Sequence, residues 1–201
     1  MRAQSGLGRL VPRESVPAGG HPGSQAAEVP LDEAQRRHVA GLMRVNHAGE
    51  IAAQALYRGQ ALVSRSAPLR EHLLKAAAEE KAHLDWCASR LRELGEQPSV
   101  LAPFWYAGSF AIGAAAGLSG DRTSLGFVEE TERQVVEHLD EHLGKLPPED
   151  ERSRAILETM RADEARHGRD AKEAGARPLP SAVRGLMALT ATVMKFGAYR
   201  F

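Results

Sequence analysis

The sequence predicts an all-α fold: a four-helix bundle with a long apolar crossover and an amphipathic C-terminal helix. Three observations carry this prediction. Aromatic residues make up only 5% of a chain rich in Ala, Leu, Glu and Arg, a composition that favours helices. Four long stretches place their apolar residues at steps of three and four. Between these stretches stand prolines or glycines that interrupt the period.

At 201 residues and 43% hydrophobic content, the chain suits one domain with a real core. Lys and Arg together number 26, as do Asp and Glu. No basic field therefore points to nucleic acid, and no acidic excess points to disorder. Cys87 is the single cysteine, which excludes an intramolecular disulfide framework and a cysteine-based metal cage and favours a reducing compartment. On its apolar stripe Cys87 reads as a core residue.

Residues 1–30 include Pro17-Ala18-Gly19-Gly20-His21-Pro22-Gly23, show no sustained period and read as a flexible tail. Arg2, Arg9 and Arg13 are not followed by an apolar run of signal-peptide length, and Glu14 and Glu28 count against a transit peptide extending through the tail. The bundle domain is expected over residues 31–201. Its first helix starts at Asp32 as cap and runs to about Ser64, with Leu42, Met43, Asn46, Glu50, Ala53 and Tyr57 on one stripe. After Ser66-Ala67-Pro68, a second helix is expected from about Leu69 to Leu94, with Leu73, Glu80, His83, Cys87 and Leu91 facing in.

From Gln97 to Gly120 there is no charged residue. Pro98 and Pro103 stand at the start of this stretch, and Gly108, Gly113 and Gly117 interrupt it. The expectation for 98–120 is an apolar crossover lying on the bundle or in a membrane surface; its length keeps a bilayer span as the alternative. A third bundle helix is expected from about Ser124 to Leu146, with Leu125, Val128, Glu132, Val135 and Leu139 inward. A fourth is expected from about Asp150 to Ala174, with Met160, Glu164, His167 and Ala171 inward. Residues 181–201 carry Leu186, Leu189, Val193 and Phe196 beside Arg184, Lys195 and Arg200, a basic amphipathic end suited to a membrane face.

The chemistry lies in a repeated device. Glu80 and His83 are three apart on a helix, so they share a face; Glu164 and His167 repeat the spacing. Each pair is preceded by an inward glutamate on the previous helix, Glu50 in the first case and Glu132 in the second. The midpoint between Glu50 and Glu80 is residue 65, beside Ser66-Ala67-Pro68. The midpoint between Glu132 and Glu164 is 148, within Pro147-Pro148. Antiparallel helices joined at these midpoints bring each pair of carboxylates level. Glu129 and Glu130 are alternatives to Glu132, which continues the Val128 to Val135 stripe best.

Four inward carboxylates and two imidazoles are too much charge to bury without cations. Two divalent ions would resolve this, and an oxygen-rich set with one imidazole per ion suits iron or manganese. The arrangement is that of the ferritin-like dinuclear carboxylate proteins. His47, three before Glu50, reads as a histidine behind the ligands or as a cap, with a ligand role as the alternative, and His138 lies near the face of Glu132. The chain contains no nucleotide-binding glycine motif, so reducing equivalents would come from an external electron donor.

The segments Arg44-Val45-Asn46-His47-Ala48-Gly49-Glu50, Glu80-Lys81-Ala82-His83-Leu84, Thr131-Glu132-Arg133-Gln134-Val135 with His138 to His142, and Asp163-Glu164-Ala165-Arg166-His167 resemble the demethoxyubiquinol hydroxylases of ubiquinone biosynthesis. The resemblance covers about residue 32 to the C-terminus. It implies a ferritin-like di-iron monooxygenase that uses dioxygen to hydroxylate the ring of a polyprenylated methoxy-benzoquinol. Carried over by position, Glu50, Glu80, His83, Glu132, Glu164 and His167 become the ligands of two iron ions, with Glu80 and Glu164 bridging. The resemblance also selects Glu132 over Glu129 and Glu130, and it places a histidine near the centre at His138.

A substrate that lives in the bilayer implies a peripheral membrane protein. The expected location is the cytoplasmic face of a bacterial inner membrane, or the matrix face of the mitochondrial inner membrane in a eukaryote, and a lipid-presenting accessory protein is a further expected partner. The competing reading is a ferritin-like metal-binding or storage protein. The uncharged crossover and the basic amphipathic end argue against it, and a non-catalytic membrane scaffold leaves the inward carboxylates unexplained.

Overall fold

The computed structural model describes residues 20–201, and among these the regular structure is entirely helical. A 3-10 turn at Pro22–Gln25 is followed by α1 (Glu33–Val63), α2 (Ala67–Glu93), α3 (Ala102–Leu118), α4 (Asp121–Leu143), α5 (Glu151–Glu173) and α6 (Ser181–Arg200). Helices α1 and α2 form one antiparallel hairpin and α4 and α5 the other. The apolar crossover is α3, which lies along α1.

Capping chemistry sets the boundaries. Asp32 accepts from the backbone of Ala34 and Gln35, and its own amide donates to the Gln35 side-chain oxygen, which starts α1 with a capping box. Helix α2 begins two residues before its sequence-based start, because Ser66 caps it and Pro68 sits in the first turn, where its missing N–H costs nothing. Asp150 caps α5 through the Ser153 amide. Helix α2 stops where Gly95 takes φ of 73°, with the Glu96 amide bonded back to the Leu91 carbonyl. Helix α4 occupies 121–143 and not about 124–146, closing at Gly144, three residues before Pro147.

Of the expected flexible tail, residues 1–19 lie outside the described residues. In the remainder, the turn at Pro22–Gln25 packs on α5. Gly23 is buried against the Arg152 backbone, and Arg152 donates to the Ala26 carbonyl.

Among the described residues, two large apolar clusters flank the polar centre, and a third, smaller one of Val45, Ala48 and Ala198 lies under α6. The first contains Leu42, Met43, Cys87, Leu91, Leu139, Ile156 and Met160. The second contains Leu56, Tyr57, Leu69, Leu73, Leu125 and Val128. Cys87 is buried beside Met160, as its stripe position predicts.

The glycines of α3 serve close packing. A Cβ on Gly113 would overlap the Leu56 carbonyl, and a Cβ on Gly59 would overlap the Phe110 carbonyl, so α1 and α3 meet backbone to backbone. No helix among the described residues is long and apolar enough to cross a membrane. Helix α6 is fixed mainly near its C-terminal end. There Ala198 packs on Val45 and Ala48, the Tyr199 hydroxyl meets His38 at 2.8 Å, and Arg44 donates to the Tyr199 carbonyl. Leu186, Leu189, Val193 and Phe196 of α6, like Phe104 and Leu118 of α3, are left exposed.

Candidate metal centre

All six residues singled out by spacing converge at mid-height of the bundle, each 3% exposed or less. They form two overlapping groups: Glu50, Glu80, His83 and Glu164, and Glu80, Glu132, Glu164 and His167. Within each group the ligand-type atoms lie within 4.8 Å of one another. Glu80 and Glu164 belong to both, the position that bridging carboxylates require.

The two halves mirror each other. His83 Nδ1 lies 3.1 Å from Glu80, 2.9 Å from Glu164 and 3.6 Å from Glu50. His167 Nδ1 lies 3.3 Å from Glu80, 3.0 Å from Glu164 and 3.7 Å from Glu132. On the far side of each ring, Nε2 faces an acid of the opposite hairpin: Asp163 for His83 and Glu79 for His167, both at 3.3 Å. The hydrogen bond to Asp163 orients the His83 ring with Nδ1 toward the shared carboxylates, and Glu79 faces the His167 ring from the corresponding side as an ion-pair contact.

The donor set fits divalent ions. Glu80 Oε1, Glu132 Oε2, both oxygens of Glu164 and His167 Nδ1 are buried without a hydrogen-bond partner, and atoms of this kind are rarely left so unless something else ligates them. In the metal-free protein the charges are shared unevenly. Burial would raise the Glu80 carboxyl, yet the imidazoles of His167 and His83 beside it, at 3.3 and 3.1 Å, hold it well below the usual carboxylate range. Burial pushes Glu50 well above that range, and burial with the Glu164 charge pushes Glu132 up to about 8. Both imidazoles are raised against burial, His83 first by Asp163 and His167 first by Glu132.

Glu132 takes the third-helix position. Glu130 instead points to Arg133 and Gln134, at 2.6 and 2.7 Å. His47 is buried and sits outside both groups, with its pKa lowered by burial. His138 joins a second polar cluster one turn from Glu50. Its Nε2 lies 3.2 Å from Asn46 Oδ1, and His142 Nδ1 lies 2.9 Å from the same oxygen. Burial lowers His138 to about 4 and His142 to about 3, so both rings are neutral near pH 7.

Spacing alone did not assign Asp163, Glu79 or the Asn46 and His142 pairing. For the two acids a signal exists: each directly precedes the glutamate of a Glu-x-x-His unit.

The family model for the ubiquinone biosynthesis protein COQ7 matches residues 37–197, from the first turns of α1 into the last turn of α6. The chain belongs to the COQ7 family. Its COQ7 relatives include 3-demethoxyubiquinol 3-hydroxylases of Xanthomonas oryzae pv. oryzae, 59% identical over 180 residues (90% of this chain and 83% of the relative), and of Cupriavidus taiwanensis, 61% identical over 166 residues (83% and 80%). A solved structure, the dodecameric thioferritin that is the bacterioferritin-related protein from Bacteroides fragilis, aligns with a TM-score of 0.57. The alignment covers 78% of this chain and 90% of that one at 17% identity, which establishes the ferritin-like bundle as the fold. All six residues of the centre fall inside the COQ7 match.

Proposed function

We propose that this protein hydroxylates the ring of 3-demethoxyubiquinol with dioxygen, using two iron ions held by Glu50, Glu80, His83, Glu132, Glu164 and His167. The observation that carries the reading is the pair of ligand groups sharing Glu80 and Glu164, found in a chain 59% identical to 3-demethoxyubiquinol 3-hydroxylases. When bound, the ions supply the redox chemistry that activates dioxygen.

The protein's own residues do the rest. Asp163 and Glu79 orient the two imidazoles, and Glu80 and Glu164 face both metal positions. Apolar clusters above and below the centre keep bulk water from it. The neutral cluster of Asn46, His138 and His142, one turn from Glu50, offers hydrogen bonds to a quinol hydroxyl arriving from the side of α6. One oxygen atom enters the ring and the other leaves as water, which requires two electrons from an external donor and two protons.

The substrate carries a polyprenyl tail, and the exposed apolar residues of α3 and α6 give the protein a face for the bilayer that holds it. In this reading the protein is peripheral, on the cytoplasmic face of the inner membrane, and an accessory protein presents the lipid there. A storage function would have no use for that face.

The test is genetic and chemical together. Cells lacking the protein are expected to accumulate demethoxyubiquinone, and a Glu164→Ala variant that folds and reaches the membrane is expected not to restore ubiquinone. Full restoration by that variant would remove the metal centre from the reaction.

A further inference from the structure

The two halves of the centre differ at one point. Tyr57, on α1 two turns after Glu50, is fully buried and donates its hydroxyl to Glu132 Oε1. Glu132 Oε1, which the phenol holds, is also the oxygen 3.7 Å from His167 Nδ1, while Oε2 is buried and without a partner, so one oxygen is committed to the phenol and the other is left open. Glu50 is the counterpart of Glu132 in the other half. Among the described residues no hydroxyl, amide or arginine donates to it, and its cationic neighbour is His83 Nδ1 at 3.6 Å.

We infer that Tyr57 is a positioning residue that fixes Glu132 as a single-oxygen ligand and so makes the two metal positions unequal. The His167 position has a preset carboxylate. The His83 position has an adaptable one, since Glu50 can turn to offer one oxygen or two. Tyr57 is suited to this role because it is fully buried within the apolar cluster that also holds Leu69, Leu73 and Leu125, which leaves the hydroxyl little freedom. Its own proton stays in place, because burial and then the charge of Glu132 raise the phenol well above its ordinary value.

This inference rests on the metal-centre reading above, and Co(II) titration separates the two. Wild-type apoprotein takes up two equivalents of Co(II); uptake of none would overturn the centre itself and the inference with it. With two bound, the expected result for Tyr57→Phe is a loss of roughly 10–100-fold in affinity for one equivalent, the other being unchanged. In a His83→Ala background, which leaves the His167 position, Tyr57→Phe weakens the remaining ion. In a His167→Ala background it does not.

A second measurement needs no variant. On the wild type, the first equivalent of Co(II) shifts the His167 imidazole signals in proton NMR more than those of His83, because the preset position fills first and a directly bound ring carries the larger hyperfine shift. Equal loss at both positions in Tyr57→Phe, no loss at either, or shifts of equal size at both imidazoles would show that Tyr57 does not distinguish the sites.

Discussion

His83 Nε2 lies 3.3 Å from Asp163 Oδ2, across the contact between α2 and α5. Asp163 immediately precedes Glu164 and holds an imidazole of the opposite hairpin, while Glu79, immediately before Glu80, stands 3.3 Å from His167 in return. Each hairpin therefore aims a histidine belonging to the other. Asp163→Asn keeps the shape and loses the charge, and is expected to weaken metal binding at the His83 position by roughly 10–100-fold. A Co(II) titration with helicity checked by circular dichroism measures this, and an unchanged affinity would mean the contact is incidental.

Glu132→Ala removes the carboxylate that faces His167, whereas Glu129 is outside both ligand groups. The first substitution is expected to lower the metal content from two ions to one or none and to abolish hydroxylation. Glu129→Ala leaves the metal content intact. Metal analysis of the two purified variants decides, and the reverse pattern would mean that the face of α4 has been misassigned.

The metal-free protein is expected to lose stability as pH rises. His83 and His167 have raised folded-state pKa values, so their contribution is full below the ordinary imidazole value and is lost as pH climbs through the raised ones. Glu132, pushed up to about 8 from an ordinary 4.5, holds a proton in the folded state that the unfolded chain has already released, which acts in the same direction between those values. Glu80 opposes the trend only in acid, since its depressed pKa gives stability that is lost as pH falls below 4.5. Thermal midpoints of chelator-treated protein should fall between about pH 6 and about pH 8. Metal-loaded protein should not follow, because bound ions replace those protons; a flat profile without metal contradicts the assignment.

Leu189 and Phe196 are each 61% exposed on α6. Changing both to Glu is expected to reduce binding to phospholipid vesicles by roughly tenfold or more, given the apolar area involved. Alkaline carbonate is expected to release the wild-type protein from membranes, in keeping with helices too short or too polar to span. Retention after that wash would point to a deeper attachment.

Much of this was legible in the chain because helices repeat. The Glu-x-x-His units fixed the phase of α2 and α5, and the turns at the midpoints between carboxylates fixed their heights. The result is that Glu50, Glu80, Glu132 and Glu164 meet as the spacing predicts. What escaped depends on relations between helices that no period encodes. Tyr57 reads as one more inward residue of α1 until the facing oxygen of Glu132 is placed. Asn46 gains meaning only once α4 brings His138 and His142 to it. Pro68 looked like a break because a proline reads as a stop; with Ser66 as cap, it is the first turn of α2.

The backbone seam between α1 and α3 divides the evolutionary freedom of α3 into two. On one side, Gly113 faces the Leu56 carbonyl, and Gly59 of α1 meets the Phe110 carbonyl, so neither glycine admits a side chain without forcing the helices apart. On the other side, positions such as Phe104 and Leu118 are exposed and can drift among apolar residues. If α3 meets the bilayer as proposed, a lineage can retune its outer residues for a membrane of different composition while the inner row keeps α1, and with it Glu50 and Tyr57, in register.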